Sequence, residues 1–131
     1  MSQFLNILRE MNILIENLAE GQTKFAGIIR ILPTLPARRI DIRIVRPEEY
    51  VFTLLHFTGS KKLNTLMRTR AIQLGAKLNE YGVFDYTGRL YSVETEEQIF
   101  SLLGIVYVPP NKRVKDIAGL EFINPLIRVG F

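Results

Sequence analysis

The chain has 131 residues, with 17 Lys and Arg against 13 Asp and Glu, no Cys and a single histidine, His56. Without Cys there is no disulfide framework, no thiol nucleophile and no cysteine-ligated zinc, and one imidazole excludes multi-histidine metal sites. Any metal chemistry therefore falls to carboxylates, and the net charge of +4 admits nucleic acid as a partner without establishing it.

Hydrophobic residues at 47% and charged residues at 23% suit a folded domain. No apolar run approaches the ~20 residues a membrane span needs, because Arg9, Glu10 and Glu16 interrupt the N-terminal segment and charges or prolines the others. The start has no basic n-region or small-residue cleavage site. An intracellular protein is expected.

Apolar residues at Phe4, Leu5, Leu8, Met11, Leu14, Ile15 and Leu18 predict one helix running to about Glu20, with Gly21 as its stop. Phe25 to Leu32, the Pro33 and Pro36 connection, and the strictly alternating Arg38 to Val45 predict two antiparallel strands. The second strand puts Ile40, Ile42 and Ile44 on one face and Arg39, Asp41 and Arg43 on the other. A carboxylate between two arginines is thereby presented on a sheet surface.

Pro47 breaks the strand, and Glu48 to Phe57 reads as a short helix ended by Thr58-Gly59-Ser60. Ser60 can cap a helix to about Leu74, stopped by Gly75, on which Lys61, Asn64 and Arg68 form a polar face. Strands around Lys77–Phe84 and Arg89–Val93 are expected to form a hairpin about Asp85-Tyr86-Thr87-Gly88. Thr95 with Gln98 gives a capping-box start for a helix through Leu103, and Val106 to Val108 reads as one more strand. From Asn111 to Phe131 apolar and basic residues mix without a period; there is no internal repeat or linker. The expected class is α+β.

Five strings then occur in an order that resembles the family X DNA polymerases, the polymerase beta-like enzymes. They are Gly21-Gln22-Thr23-Lys24-Phe25-Ala26-Gly27, Arg38-Arg39-Ile40-Asp41-Ile42-Arg43, His56-Phe57-Thr58-Gly59-Ser60 with Asn64 and Arg68, Leu78-Asn79-Glu80-Tyr81-Gly82, and Glu94-Thr95-Glu96. The resemblance covers about residues 5 to 113. It implies residues 1–47 as the C-terminal portion of a nucleotidyltransferase palm, 48–113 as the thumb or nucleotide-binding lobe, and 114–131 as an extension of unknown role.

The resemblance further implies a DNA-directed DNA polymerase for gap-filling repair synthesis by two-metal nucleotidyl transfer. Its cofactor would be Mg²⁺, with Mn²⁺ possible, and its partners gapped or primed duplex DNA and a deoxynucleoside triphosphate. Asp41 matches the third catalytic Asp and a metal ligand, and Arg39 a residue near the primer terminus. His56, Phe57, Gly59, Lys61 and Asn64 match nucleotide-contacting positions, Arg68 and Tyr81 DNA contacts, and Arg43 with Glu80 a pair that reports on opening and closing. The compartment would be the nucleus in a eukaryote.

Several features depart from the family. Its first two metal ligands form an Asp-x-Asp on a strand that these residues do not contain, and Lys61 stands where polymerase beta has an acid against the base. One carboxylate cannot hold two Mg²⁺ ions, so the isolated chain is expected to be inactive. It could be an excised piece, one product of a split gene whose other chain supplies the N-terminal half, or a degenerate descendant kept as a non-catalytic DNA-binding or assembly module. RNA nucleotidyl transfer on a related palm is disfavoured by Thr58-Gly59-Ser60 with Asn64 and Arg68.

The plain alternatives are ordinary. Asp41 could be a surface ion-pair partner, His56 a packed imidazole, and Lys61, Asn64 and Arg68 a solvated helix face. Phe25, Phe57, Tyr81 and Phe84 could all be core residues. Arg38, Arg39, Arg43, Lys61, Lys62, Arg68 and Arg70 would form a phosphate-neutralising surface if they converge. The tail from Val114 to Phe131, with Phe122, Ile123, Leu126, Ile127 and Phe131, could dock on the lobe or offer an apolar surface to a partner.

Overall fold

A computed structural model describes residues 1–123 and divides the chain into two compact units, Met1–Val45 and a second beginning at Arg46. The class is α+β, as expected.

In the first unit a helix, α1 (Ser2–Glu10), precedes a three-stranded antiparallel sheet of β1 (Leu14–Glu20), β2 (Lys24–Ile29) and β3 (Arg38–Arg43), with β2 in the centre. The single helix expected as far as Glu20 is thus corrected to a helix and a strand. Its break is local chemistry. Asn12 takes a left-handed φ of 57°, Ile13 N–H bonds back to the Leu8 carbonyl and Asn12 N–H to the Arg9 carbonyl. That is a Schellman end with Asn in the position usually given to Gly. Leu14, Ile15 and Leu18, which fit a helical period, lie instead on a strand whose pairing with β2 is interrupted twice.

Leu5 of α1 and Phe25 of β2 are the buried side chains of this unit. A Cβ on Gly27 would lie 2.6 Å from Phe25 Cζ and 2.7 Å from the Glu16 carbonyl oxygen, so the Phe25 ring needs a residue without a side chain at that point.

The second unit starts with a 3₁₀ turn, Pro47–Glu49, which leads into α2 (Tyr50–Thr58). Gly59, at φ +70°, closes α2, and the Gly59–Ser60 peptide is cis. Ser60 caps α3 (Lys61–Gln73) by accepting from the Leu63 N–H at 3.2 Å, and Gly75 follows at φ +79°. β4 (Lys77–Asn79) and β5 (Gly82–Phe84) form a tight hairpin, so the strand expected over Lys77–Phe84 is corrected to two strands. The Asn79 carboxamide oxygen accepts from the N–H groups of Tyr81 and Gly82 and fixes that turn. The expected turn at Asp85–Gly88 is also present, but its far side is a single Phe84–Leu90 bridge rather than a strand.

α4 (Glu96–Leu102) begins at Thr95, whose hydroxyl accepts from Gln98 N–H. The Gln98 side chain reaches back one residue further than in a standard capping box, to Glu94 N–H at 2.7 Å. Phe52, Leu55, Leu63, Met67, Val83, Ile99, Phe100, Leu103 and Ile105 make up most of one contiguous core between α2, α3, α4 and the hairpin. No named strand forms at Val106–Val108; Ile105 makes a single antiparallel bridge to Phe122.

That bridge docks the extension as far as Ile123. Val106 N–H donates to Glu121 O, Ile123 N–H to Gly104 O, and the Ser60 hydroxyl to Val114 O at 2.8 Å. Residues 124 to 131 lie outside the described residues, and with them the expectation for Leu126, Ile127 and Phe131. No helix among the described residues is long and apolar enough to cross a membrane.

Candidate functional site

On the sheet of the first unit Asp41 pairs with Ala26, Arg39 with Ile28, and Arg43 with Lys24. Asp41, Arg39, Arg43 and Lys24 therefore share one face, in the arrangement the alternation of β3 predicts. Asp41 is 57% exposed and Arg39 62%. The two form a fork: Arg39 Nε donates to Oδ2 at 3.1 Å and Nη2 to Oδ1 at 3.2 Å. These hydrogen bonds, and secondarily the attraction of the carboxylate charge, hold the Arg39 guanidinium above its ordinary pKa. Both carboxylate oxygens are engaged by a neighbouring cation, although each keeps further lone pairs.

In the second unit the sequence-predicted residues cluster where α2, α3 and the β4–β5 turn meet. Asn64 Nδ2 donates to the His56 carbonyl at 2.8 Å. Arg68 Nη2 lies 3.0 Å from His56 Nδ1, and His56 Nε2 lies 3.3 Å from Glu80 Oε2. The Glu80 carbonyl accepts from the buried Thr53 hydroxyl at 2.8 Å. Asn64 and Arg68 are thus not merely a solvated face; both brace His56 from α3. Phe57 is 56% exposed and meets the His56 ring edge-on at 5.2 Å. Tyr81 is also exposed, Phe84 half-buried and Phe25 buried, so these four aromatics divide between surface and core.

One member of the expected phosphate-binding set is corrected. Arg70 turns inward: Nε donates to Leu103 O at 2.9 Å, and the guanidinium lies 4.5 Å from the centre of the Phe122 ring. It is half-buried and holds the extension. Arg38, Arg39 and Arg43 belong to the first unit, and Lys61, Lys62 and Arg68 to the second.

Sequence reasoning missed Thr53, Asn79, Glu96 and Arg113 as supports of this region. Arg113 is the least visible, because a basic residue in an aperiodic tail gives no sign of burial; it is 6% exposed and pairs with Glu96.

Residues 53–114 match the family model for the DNA polymerase beta thumb. The chain is 35% identical over 97 residues to the DNA polymerase/3′-5′ exonuclease PolX of Bacillus subtilis, covering 73% of this chain and 16% of that protein. To rat DNA polymerase lambda it is 33% identical over 130 residues, covering 86% of this chain and 22% of the relative. The polymerase beta of Leishmania infantum, solved as a ternary P/T complex, superposes with a TM-score of 0.80 at 30% identity, over 86% of this chain and 52% of that one. The chain belongs to the family X DNA polymerases.

It carries their thumb domain and resembles the C-terminal region of polymerase beta. It spans between 16% and 22% of the length of the curated relatives it matches. A two-ion Mg²⁺ or Mn²⁺ site demands several oxygen ligands around each ion. Asp41, forked by Arg39, does not meet that demand by itself. Among the described residues no group of three or more His, Cys, Asp or Glu side chains is placed to hold a metal. These residues could contribute a ligand to such a site but do not constitute one.

Proposed function

We propose that these 131 residues are the end of a palm and the thumb of a DNA-directed DNA polymerase that fills gaps during DNA repair. The observation that supports this most is Asp41, held outward on a strand face between Arg39 and Arg43, in a chain whose residues 53–114 match the polymerase beta thumb. Asp41 supplies one metal ligand. The remaining ligands come from a companion segment, in the same or a separate chain, that carries the Asp-x-Asp strand the family resemblance implies. Arg39 serves the primer terminus, and His56, Phe57, Gly59, Lys61 and Asn64 the incoming deoxynucleoside triphosphate. Arg68 and Tyr81 contact DNA, while Arg43 and Glu80 respond to opening and closing. The protein acts where the DNA is, in the nucleus if its host is eukaryotic.

The test is primer extension on gapped duplex with deoxynucleotides and Mg²⁺ or Mn²⁺. The chain alone is expected to give no product. Addition of a separately made segment bearing the Asp-x-Asp strand is expected to give extension that Asp41→Ala abolishes. Extension by the chain alone, or complemented extension indifferent to Asp41→Ala, would overturn the reading.

The engagement of both Asp41 oxygens by Arg39 favours a second reading, a non-catalytic DNA-binding or assembly module derived from the polymerase fold. Salt-dependent DNA binding without complemented extension would support it.

A further inference from the structure

His56 is the sole histidine of the chain and stands between a cation and an anion. Arg68, from α3, and Glu80, from the β4–β5 turn, both set a charged group against its ring. The remaining residues that line the same small cavity are uncharged: Phe52, Leu55, Asn64, Met67, Leu78 and Asn79.

The hydrogen-bonding capacity of the partners fixes the imidazole's state. A guanidinium has donors and no acceptor. At 3.0 Å from Arg68 Nη2, His56 Nδ1 must therefore present its lone pair, and the proton of the neutral ring sits on Nε2, pointing at the Glu80 carboxylate 3.3 Å away. Each of these positions is anchored. The His56 backbone is held by Asn64 from α3, Glu80 by the Thr53 hydroxyl on its carbonyl, and the turn by Asn79. A second proton on the ring would put a donor and a positive charge on Nδ1, directly against the guanidinium. Glu80 accepts equally well from the imidazolium, so the group that gives way is Arg68, whose long side chain can swing out.

We propose that His56 is a positioning residue for Arg68: the neutral ring holds the guanidinium against the lobe, and protonation of the ring releases it to bind a phosphate of DNA. The DNA part of this inference rests on the proposed function; the exchange between His56 and Arg68 does not.

Two measurements on the full chain separate these parts. The first follows the single imidazole and the Arg68 guanidinium by NMR without DNA, between about pH 5 and 8, where histidine titrates. The Arg68 Nε–Hε resonance is expected to move with the midpoint of the imidazole. Arg68→Gln should raise that midpoint, by removing a neighbouring cation, and Glu80→Gln should lower it. An Arg68 resonance that stays still while the ring titrates overturns the latch, whatever the protein does to DNA.

The second measures affinity for a gapped duplex against salt at pH 5.5 and 8.0. Release of Arg68 adds one phosphate contact, so the slope of log K against log salt should steepen by about 0.9 at the lower pH. The steepening should vanish in both His56→Gln and Arg68→Gln. If it survives in Arg68→Gln, the imidazolium itself binds the DNA and the release step is wrong. Coupled NMR titration with no DNA binding at either pH would retain the latch, refute its role toward DNA, and count against the proposed function.

Discussion

Arg113 donates a two-pronged hydrogen bond to the Glu96 carboxylate, at 2.8 and 3.4 Å, from a guanidinium with no solvent exposure. Its Nε donates to Val108 O at 2.9 Å, and its charge faces the rings of Phe100 at 5.5 Å and Tyr107 at 5.7 Å. Phe100 and Tyr107 meet edge to face at 5.2 Å. One side chain thus ties the chain after Pro110 to the first turn of α4, where an acid also complements the helix N-terminus. Removal of one partner from a buried pair strands the other, which costs about 3–5 kcal/mol. Arg113→Ala is expected to lower unfolding free energy by roughly that amount, as read by urea denaturation. Arg113→Lys should recover only part of the loss, because an ammonium cannot reproduce the fork or reach Val108 O at the same time. Full recovery by lysine would mean that charge alone matters here.

Arg70 and Phe122 make the corresponding clamp on the extension. Phe122 remains 41% exposed, so the stacking is worth ~0.5–1 kcal/mol rather than a core contact's share. Phe122→Ala is expected to leave global stability nearly unchanged and to accelerate proteolytic cleavage between Val114 and Ile123. Ser60→Ala should act from the other end, since its hydroxyl both caps α3 and donates to Val114 O; loss of the cap adds about 1 kcal/mol of destabilisation. Cleavage rates equal to wild type in both variants would show that the bridge and backbone hydrogen bonds suffice to hold the segment.

What could be read from the sequence followed from period and punctuation. The alternation of Arg38 to Val45 gave β3 and its charged face, and Gly59, Ser60, Gly75 and Thr95 marked helix ends that the structure keeps. The first helix ends at Glu10 rather than near Glu20 because Leu14, Ile15 and Leu18 satisfy a helical period as well as a strand, and the left-handed Asn12 that ends α1 is a weaker signal than glycine. The site was legible as a list of residues and not as an arrangement. No spacing rule says that Arg68 turns onto His56 while Arg70, two residues later, turns under Phe122. Arg113 was invisible for the same reason, since only tertiary packing distinguishes a buried arginine from a tail cation.

Asp85 gives the expected pH dependence. Its carboxylate accepts from the Thr87 hydroxyl and from the N–H groups of Arg89 and Thr87, which together hold its pKa below the usual aspartate range, the Thr87 hydroxyl contributing most. A group with a lowered folded-state pKa stabilises the fold above its unfolded value, about 3.9, and that contribution disappears as pH falls through the lowered value. Asp85→Ala is therefore expected to reduce the urea midpoint at pH 7 and to cost progressively less as pH drops below about 4. A deficit that stays constant down to pH 2.5 would assign the effect to turn propensity rather than to the ionised acceptor.

Gly27 links the sheet to Asp41. It lies next to Ala26, which pairs with Asp41, and itself pairs with Ile40. Any Cβ there meets the Phe25 ring on one side and the Glu16 carbonyl on the other, and Phe25 is only 2% exposed. Overpacking of this kind costs ~1–3 kcal/mol, so Gly27→Ala should destabilise the first unit by that order, measured as earlier loss of amide-exchange protection in β1 and β2. Phe25→Leu shortens the ring and opens one of the two clashes, whereas the backbone carbonyl of Glu16 cannot retreat without breaking the β1–β2 pairing. The double variant is therefore expected to recover only part of the protection. Complete recovery would show that β1 can shift, because its two register interruptions, between Leu14 and Glu16 and between Asn17 and Ala19, already leave it loosely tied to β2. In that case Asp41 would keep its position while β1 moved, and complemented extension would survive Gly27→Ala; if β2 moves instead, the Asp41 face moves with it and extension falls together with stability.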